Sequence, residues 1–303
     1  MYMRILLIAG GWSEEREVSL AGAEQIEKTL RRNGHDVRRL DPLHELNNLA
    51  VEANVCDFAF LNLHGVPGED GLIQAMLEQH RLPFQGAGSR ASILAINKTV
   101  TKTLYRAADI PTPRWEFLPR WNDAWRPSLQ FPLVVKPNDG GSSVGVGIVH
   151  TYEGLRSFVL EHGLTGHALL MERFAEGTEL SCGVLGSEPL PSILIRPRAG
   201  TFFDYTAKYT AGATEEICPA PIDQALEKRI RSLALAAHNA LGIAHYSRTD
   251  FIVTDDGPLA LETNTLPGMT ATSLFPQEAA AAGIDFAELL EILIRLGKKR
   301  FTN

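Results

Sequence analysis

The sequence contains few cysteines and lacks a long apolar run. Its three cysteines, Cys56, Cys182 and Cys218, are odd in number and widely separated, which favours reduced thiols over a disulfide framework. The apolar run from Ile5 to Ala9 is about half as long as the core of a secretory signal. No stretch approaches the roughly 20 apolar residues of a membrane span. We therefore expect a cytoplasmic protein without a membrane partner.

A strong basic charge is also lacking. The chain has 29 lysines and arginines against 36 aspartates and glutamates, a formal net charge of -7, and no basic run beyond Lys298-Lys299-Arg300. Nucleic acid is therefore not an expected partner. The hydrophobic fraction of 45% and the charged fraction of 21% are typical of a globular protein. A length of 303 residues suggests roughly two domains, or three smaller ones.

Two predicted strands near the N-terminus end in turns. Arg4 to Ala9 has the pattern of a buried strand, and Gly10-Gly11 and a helical pattern follow it. A third glycine at the spacing of a dinucleotide site is missing. Glu15, near the start of that helix, is a candidate for facing a ligand at the carboxyl end of the sheet. The second strand, Phe58 to Leu63, leads into His64, which could orient a substrate or have a structural role.

A lysine precedes a glycine-rich loop in the middle of the chain. The predicted strand Phe131 to Pro137 contains Lys136, and the segment Asp139 to Gly147 that follows is rich in glycine and serine. Such a loop offers backbone N–H groups to a phosphate chain, although a plain glycine hairpin is the alternative. Lys136 favours the phosphate site, because a buried ammonium needs an anion. An earlier predicted helix places Lys98 and Lys102 one turn apart.

Two further segments are candidates for ligand contacts. The strand Leu169 to Phe174 and the nearby Glu179 could hold an adenine ring and ribose hydroxyls. The segment between Pro197 and Pro219 has little periodicity, and a loop of this length is usually disordered or a functional lid.

The stretch from Tyr246 to Thr270 is predicted to form a β-hairpin. Two alternating runs, Arg248 to Val253 and Leu259 to Asn264, flank Asp255-Asp256-Gly257. Because successive side chains of a strand point to opposite faces, each run places two polar side chains on one face.

The register of this hairpin decides which polar groups meet. If all three residues between the runs form the loop, Asp250 lies opposite Glu262 and Arg248 lies opposite Asn264. A two-residue Asp-Gly loop would instead place Thr263 opposite Asp250. Two carboxylates and an amide oxygen at that separation favour a cation, and oxygen ligands suit Mg²⁺ or Mn²⁺ rather than zinc. A solvated polar face with a surface ion pair is the alternative.

Several sequence blocks occur in a fixed order along nearly the whole chain. They are Gly10-Gly11 with Glu15 to Leu20, His64-Gly65 with Gly68 to Gly71, Lys136-Pro137 with Gly141 to Gly145, Asp204-Tyr205 with Ala207 to Tyr209, Arg248 and Asp250, and Glu262 to Thr270. Together these blocks resemble the D-alanine:D-alanine ligase family of the ATP-grasp superfamily. The resemblance implies an α/β (α+β) ATP-grasp fold of three domains, with a Rossmann-like parallel sheet in the N-terminal domain.

The resemblance also implies how the chain is divided. Residues 1–95 would form an N-terminal α/β substrate domain, and residues 96–178 a central domain with the glycine-rich phosphate loop. Residues 179–303 would form a C-terminal domain with the metal and oxyanion site and a lid loop at 198–219. The protein would form a homodimer through its N-terminal domain.

For catalysis, the resemblance implies roles for Glu15, Ser142, Lys208, Tyr209, Arg248 and Gly268. Ser142 and Tyr209 would join Glu15 in a hydrogen-bonded cluster that holds the lid closed, and Lys208 would contact the transferred phosphate. Glu15 would pair with the ammonium of the first D-alanine, and Arg248 with the Gly268 N–H would stabilise the oxyanion. Additional substrate contacts are implied for His64, Ser273 and Leu274.

For ATP, the resemblance implies contacts from Lys98, Lys136, Ser143, Glu172, Phe174, Ala175 and Glu179. Two Mg²⁺ or Mn²⁺ ions would be held by Asp250, Glu262 and Asn264. The implied reaction joins two D-alanines through an acyl phosphate and releases ADP and phosphate, as a step of peptidoglycan precursor synthesis.

Other activities remain alternatives at this point. Ligases of the same superfamily that make D-Ala-D-lactate or D-Ala-D-Ser differ in the second substrate. No histidine occurs between Arg198 and Ala220, and Tyr209 is present, which favours the dipeptide over D-lactate. A nicotinamide oxidoreductase lacks its glycine fingerprint here. A catalytically silent ATP-binding regulator would lack a metal ligand or Arg248, and the sequence retains them.

Overall fold

A computed structural model describes residues 2–140, 145–197 and 214–301. The strands are β1 Arg4–Ala9, β2 Asp36–Leu40, β3 Phe58–Asn62, β4 Trp115–Leu118, β5 Leu133–Pro137, β6 Gly147–Val149, β7 Leu169–Arg173, β8 Thr178–Leu185, β9 Glu188–Pro189, β10 Ile193–Pro197, β11 Thr214–Ile217, β12 Tyr246–Thr254 and β13 Gly257–Asn264. The α-helices are α1 Arg16–Arg32, α2 Pro42–Glu45, α3 Leu49–Ala53, α4 Leu72–Gln79, α5 Ser89–Ile96, α6 Lys98–Ala107, α7 Tyr152–Glu161, α8 Gln224–Ala240, α9 Leu274–Ala281 and α10 Phe286–Lys298.

The N-terminal sheet is parallel, with strand order β2-β1-β3. Residues Ile5 to Ile8 of the central strand are fully buried, as expected for a parallel strand covered on both faces. Ala9 pairs with Asn62, so β1 and β3 end side by side. The predicted parallel sheet is therefore confirmed, and the turns that follow its two strands begin at the same edge.

The middle of the chain forms a four-stranded antiparallel sheet of order β4-β7-β5-β6. Its apolar face, which includes Leu133, Val135 and Met171, packs with residues of α7 such as Leu155 and Val159. The opposite face of β5 and β7 is left to carry polar side chains, since the strands alternate.

The third sheet joins β11-β10-β8-β12-β13, and β9 pairs with β8. Helix α8 packs on this sheet through residues such as Ile230 and Ala234, and Asp223 caps its start by accepting a hydrogen bond from the Leu226 N–H at 2.9 Å. Residues 214–217, which were expected to belong to a lid loop, instead form β11. They pair with β10, because that edge of the sheet offers unpaired backbone groups.

The apolar cores draw on distant parts of the chain. Leu289 and Leu293 of α10 lie in the core of the N-terminal sheet, and Ala91 of α5 lies in the core beneath α8. The expected boundaries at 95/96 and 178/179 fall within α5 and at the first residue of β8. Within the described ranges, no helix combines the length and apolar character that a bilayer crossing requires. All three cysteines are free.

Candidate active site

The hairpin of β12 and β13 sets the geometry of the site. Asp250 lies opposite Glu262 and Arg248 opposite Asn264, as the three-residue loop predicts. The turn that joins the two strands differs from the predicted three-residue loop. Thr254 pairs with Gly257, so the turn has two residues, and the register shifts between Asp250 and Phe251. Leu261 is the extra residue of this β-bulge, and it moves Glu262 across from Asp250.

The Asp250 carboxylate is the most heavily coordinated group of the hairpin. It accepts hydrogen bonds from Arg248 Nε and Nη2, both at 2.9 Å. The Ser181 hydroxyl donates to it at 2.7 Å, and the Asn264 amide donates at 3.0 Å. Burial acts to lower the pKa of Arg248, but Asp250 outweighs it and the net direction is upward. Such a bidentate arginine–carboxylate pair fixes the orientation of both side chains.

The residues of this cluster fit a divalent cation that is shared with phosphates. Asp250 and Glu262 supply two carboxylates and Asn264 supplies an amide. Among the residues that the structure describes, no three His, Cys, Asp or Glu side chains form a metal cage by themselves. Mg²⁺ in nucleotide sites is usually held by one or two carboxylates together with substrate phosphates, which matches this donor set.

The turns after β1 and β3 bring a second set of groups to the same centre. Glu15 is 6% exposed and His64 is 9% exposed, and Glu15 does not use its side chain to cap α1. Burial lowers the pKa of His64, while Glu15 raises it and Arg248 lowers it. His64 therefore lies within electrostatic reach of both Glu15 of the N-terminal sheet and Arg248 of the hairpin.

Glu69 braces the loop that begins at His64. Its carboxylate accepts a hydrogen bond from the Gly65 N–H at 2.7 Å. Burial, followed by the charge of Glu15, raises the pKa of Glu69 to about 7, and Glu262 adds to this effect. The acidic groups of the two turns and of the hairpin are thus electrostatically coupled.

A buried lysine–glutamate–lysine cluster lies on the polar face of β5 and β7. Glu172 forms ion pairs with Lys136 and Lys102, and its side chain is 2% exposed. Burial would raise the pKa of Glu172, but the two ammonium groups lower it to about 2. For Lys136, burial acts downward, while Glu172, Glu262 and Glu179 raise the pKa. The anion that a buried Lys136 requires is therefore present within the protein.

Lys98 lies at the first position of α6, beside the glycine-rich loop. Its ammonium donates to the Gly140 carbonyl. Burial lowers the pKa of Lys98, and Glu262 is the carboxylate that opposes this most strongly. Asn97 caps the helix by accepting a hydrogen bond from the Val100 N–H at 3.0 Å, so its side chain holds the residue before Lys98 in place.

The residues expected to contact adenosine lie near the end of β7 and the start of β8. Phe174, Ala175 and Glu179 are each partly exposed. The Phe174 N–H donates to the Pro132 carbonyl at 3.0 Å, so this backbone group is already used. Glu179 raises the pKa of Lys136, which places the carboxylate near the lysine cluster.

The loop after β13 brings Gly268 and Ser273 together. A Cβ atom on Gly268 would lie 3.1 Å from Ser273 Oγ, so a larger residue here would have to displace the Ser273 side chain. Ser273 precedes α9, and its hydroxyl accepts from the Thr270 N–H at 3.2 Å. Leu274 is the first residue of α9, where backbone N–H groups lack helical partners and favour an anion.

Four expected site residues, Ser142, Ser143, Lys208 and Tyr209, lie outside the described residues.

Three residues near the site have no role there that the sequence analysis predicts. Ser181 binds Asp250, and Lys102 pairs with Glu172. Glu278 is fully buried, and its burial raises its pKa, opposed by Arg248. Ser181 is a polar residue in an otherwise apolar strand, and its pairing with Asp250 across β8 and β12 places it at the site. Lys102 and Glu278 lie on helices, and only the tertiary packing of those helices brings them near the site.

Comparisons with known proteins find relatives that match nearly the whole chain. The family model described as D-ala D-ala ligase C-terminus matches residues 104–295. A protein of Oleidesulfovibrio alaskensis named D-alanine--D-alanine ligase is 52% identical, covering 97% of this chain and 96% of the relative. A crystal structure of D-alanine--D-alanine ligase from Bacillus anthracis complexed with ATP is 34% identical, with a TM-score of 0.87 and 98% of both chains covered.

The fold is also similar to that of a solved ligase with a different second substrate. The VanG D-Ala:D-Ser ligase from Enterococcus faecalis is 29% identical, with a TM-score of 0.82, and the match covers 98% of this chain and 99% of that one. The fold is therefore shared by ligases with different second substrates. The higher sequence identity lies with the D-alanine--D-alanine ligases.

Proposed function

The chain belongs to the D-alanine–D-alanine ligase family and is an ATP-dependent ligase, and we propose that it joins two D-alanines through an acyl phosphate. The products are D-alanyl-D-alanine, ADP and phosphate, and the dipeptide serves peptidoglycan precursor synthesis. One observation supports this proposal above others. On the β12–β13 hairpin, Asp250 lies opposite Glu262 and holds the Arg248 guanidinium through two hydrogen bonds, so the two carboxylates and the oxyanion donor lie together.

In the first step, the carboxylate of one D-alanine attacks the γ-phosphate of ATP. Lys98 and Lys136 bind the phosphates and offset the repulsion between two anions. Glu172, Phe174, Ala175 and Glu179 bind adenosine, and Glu172 also fixes Lys136 through its ion pair. Glu15 pairs with the ammonium of this first D-alanine, and His64 lies beside it. The bond to the γ-phosphate forms as the bond to ADP breaks.

In the second step, the amine of the other D-alanine attacks the acyl phosphate. The tetrahedral oxyanion is stabilised by the guanidinium of Arg248 and the Gly268 N–H. The C–O bond to phosphate then breaks, and the attacking nitrogen gives up one proton to solvent as the peptide bond forms. The carboxylate of the second D-alanine binds at Ser273 and at the Leu274 N–H. Because Asp250 holds Arg248 through two hydrogen bonds, the guanidinium is oriented before the substrate arrives.

Asp250, Glu262 and Asn264 are the residues that would hold two Mg²⁺ or Mn²⁺ ions. When bound, such ions neutralise phosphate charge and help to align the reacting groups. Asn264 has an amide oxygen besides the NH₂ group that donates to Asp250, and amide oxygens are suitable ligands for these ions.

A substrate panel tests this function. Phosphate release from ATP and Mg²⁺ is measured with D-alanine, D-serine, D-lactate and L-alanine in turn. We expect the highest kcat/KM with D-alanine and none above background with L-alanine. Phosphate release that ignored the chirality of the amino acid would contradict the roles of Glu15 and Arg248. Preferential use of D-serine as the second substrate would replace the dipeptide with the D-Ala-D-Ser product.

Three proposals concern the organisation of the protein. Residues 1–95, 96–178 and 179–303 act as N-terminal, central and C-terminal domains, and the separate core of the central sheet supports the middle one. The protein is a homodimer through its N-terminal domain and works in the cytoplasm, which agrees with its free cysteines. Light scattering of the purified protein tests the homodimer, and a monomeric mass would exclude it.

A further inference from the structure

We propose that Lys102 is a positioning residue that couples the nucleotide site to the carboxylate pair of the β12–β13 hairpin. The inference rests on the proposed function, because it concerns the ATP and metal sites named above. Lys102 itself does not bind the substrates. Its single ammonium group contacts Glu172, which pairs with Lys136. The same ammonium contacts the carbonyl of Leu261, the bulge residue that sets the position of Glu262.

The contacts of Lys102 use its ammonium completely within the protein. Its side chain is 0% exposed. The ammonium pairs with Glu172, donates to the Thr112 hydroxyl at 2.7 Å and donates to the Leu261 carbonyl at 3.2 Å. An ammonium has three N–H donors, so these three oxygens satisfy it and leave no donor for a phosphate.

The Leu261 carbonyl is the contact that reaches the metal site. Leu261 is the extra residue of the bulge between Asp250 and Phe251, and β13 is the terminal strand of its sheet. At this outer edge, the neighbouring Ala260 donates to the Pro111 carbonyl and accepts from the Thr112 hydroxyl, both at 2.7 Å. Lys102 completes this row of contacts, and the row holds the bulge that places Glu262 opposite Asp250.

The pairing with Glu172 is the contact that reaches the nucleotide site. Glu172 is shared between Lys102 and Lys136, so the three side chains together keep one positive charge. Without Lys102, Glu172 would neutralise Lys136 alone, and the attraction of this cluster for an ATP phosphate would fall. Lys102 therefore keeps Lys136 available for phosphate although it does not contact the nucleotide.

Three substitutions of Lys102 separate its contact with Glu172 from its contact with Leu261. Lys102→Met removes both the charge and the hydrogen bonds. Lys102→Gln removes the charge but retains an NH₂ group that can donate to Leu261. Lys102→Arg keeps the charge, and Lys228→Met replaces an exposed lysine on α8 as the matched control. For each variant of the full chain, apparent KM for ATP, the Mg²⁺ concentration at half-maximal rate, KM for D-alanine and Tm are measured.

We expect Lys102→Met to raise both the KM for ATP and the half-saturating Mg²⁺ concentration about tenfold or more, as for other residues that support ligands. KM for D-alanine should change less than about twofold. Lys102→Gln should raise KM for ATP but shift the Mg²⁺ dependence much less, and Lys102→Arg should restore most of the ATP affinity. Lys228→Met should match the wild type.

Different results overturn different claims. Wild-type values of both constants in folded Lys102→Met, or in Lys102→Gln if the Met variant does not fold, would overturn the role of Lys102. A lower Tm with unchanged constants would do the same, since it would show a purely structural role. Absence of D-alanine-dependent phosphate release in the wild type would instead refute the proposed function.

Discussion

The charge of Glu69 makes folding stability depend on pH. Its carboxylate accepts a hydrogen bond from the Gly65 N–H, and burial followed by the charge of Glu15 raises its pKa from 4.5 to about 7. A carboxyl group with a raised folded-state pKa stabilises the fold fully below its unfolded pKa. That contribution is lost as the pH rises from 4.5 towards 7.

The size of this loss follows from the pKa difference. At about 1.4 kcal/mol for each pH unit, the rise to about 7 corresponds to at most about 3 kcal/mol. Glu69→Gln cannot ionise, and its amide oxygen can still accept from Gly65. The free energy of unfolding of Glu69→Gln relative to the wild type should therefore increase by up to about 3 kcal/mol between pH 4 and pH 8.

Urea denaturation at a series of pH values, without metal or nucleotide, measures this difference. The matched control is Glu24→Gln, which makes the same chemical change at an exposed position of α1 and should show no comparable dependence on pH. Parallel stability curves for wild type and Glu69→Gln across this pH range would refute the raised pKa of Glu69.

Three further substitutions test individual contacts. Arg248→Met should lower kcat about 10²-fold or more, as for the loss of other oxyanion donors, whereas Arg32→Met on the surface should not; a change in KM alone would contradict the oxyanion role. Ser181→Ala removes the 2.7 Å hydrogen bond to Asp250 and should cost about 1.5–3 kcal/mol of stability, with Ser157→Ala as the exposed control in urea denaturation; equal midpoints would exclude this contact. Glu172→Gln leaves two buried ammonium groups without their carboxylate and should cost about 3–5 kcal/mol, against no loss in Glu161→Gln; wild-type stability would show that the cluster is not charge-paired.

The β12–β13 hairpin could be predicted from the local sequence pattern in part. Alternation of polar and apolar residues predicts both strands and the faces of Arg248 and Asp250, and the structure confirms the pairing of Asp250 with Glu262. The predicted loop is wrong, because Gly257 belongs to the strand and pairs with Thr254. A bulge at Leu261 compensates for the shorter turn. The sequence carries no local signal for this bulge, and its residue Leu261 contacts Lys102, which lies far away in the sequence.

The pairing of Lys136 with Glu172 could not be predicted from the periodicity of either strand. The apolar pattern around Lys136 indicates a buried strand, and a buried ammonium needs an anion. From the sequence we expect that anion to be a phosphate. In the structure, Lys136 also has an anionic partner within the protein, Glu172 on the neighbouring strand. Strand order brings the two residues together, and strand order in an antiparallel sheet is decided by packing over the whole domain rather than by either segment.

The proposed function is tested most directly by locating the bound metal ions and nucleotide. The protein is crystallised with Mn²⁺ and a non-hydrolysable ATP analogue, and the anomalous scattering of manganese locates the ions. We expect manganese peaks bounded by Asp250, Glu262 and Asn264, with the phosphates between these peaks and Lys98 and Lys136. Manganese bound elsewhere, or a triphosphate that does not approach Lys136, would contradict the proposed function.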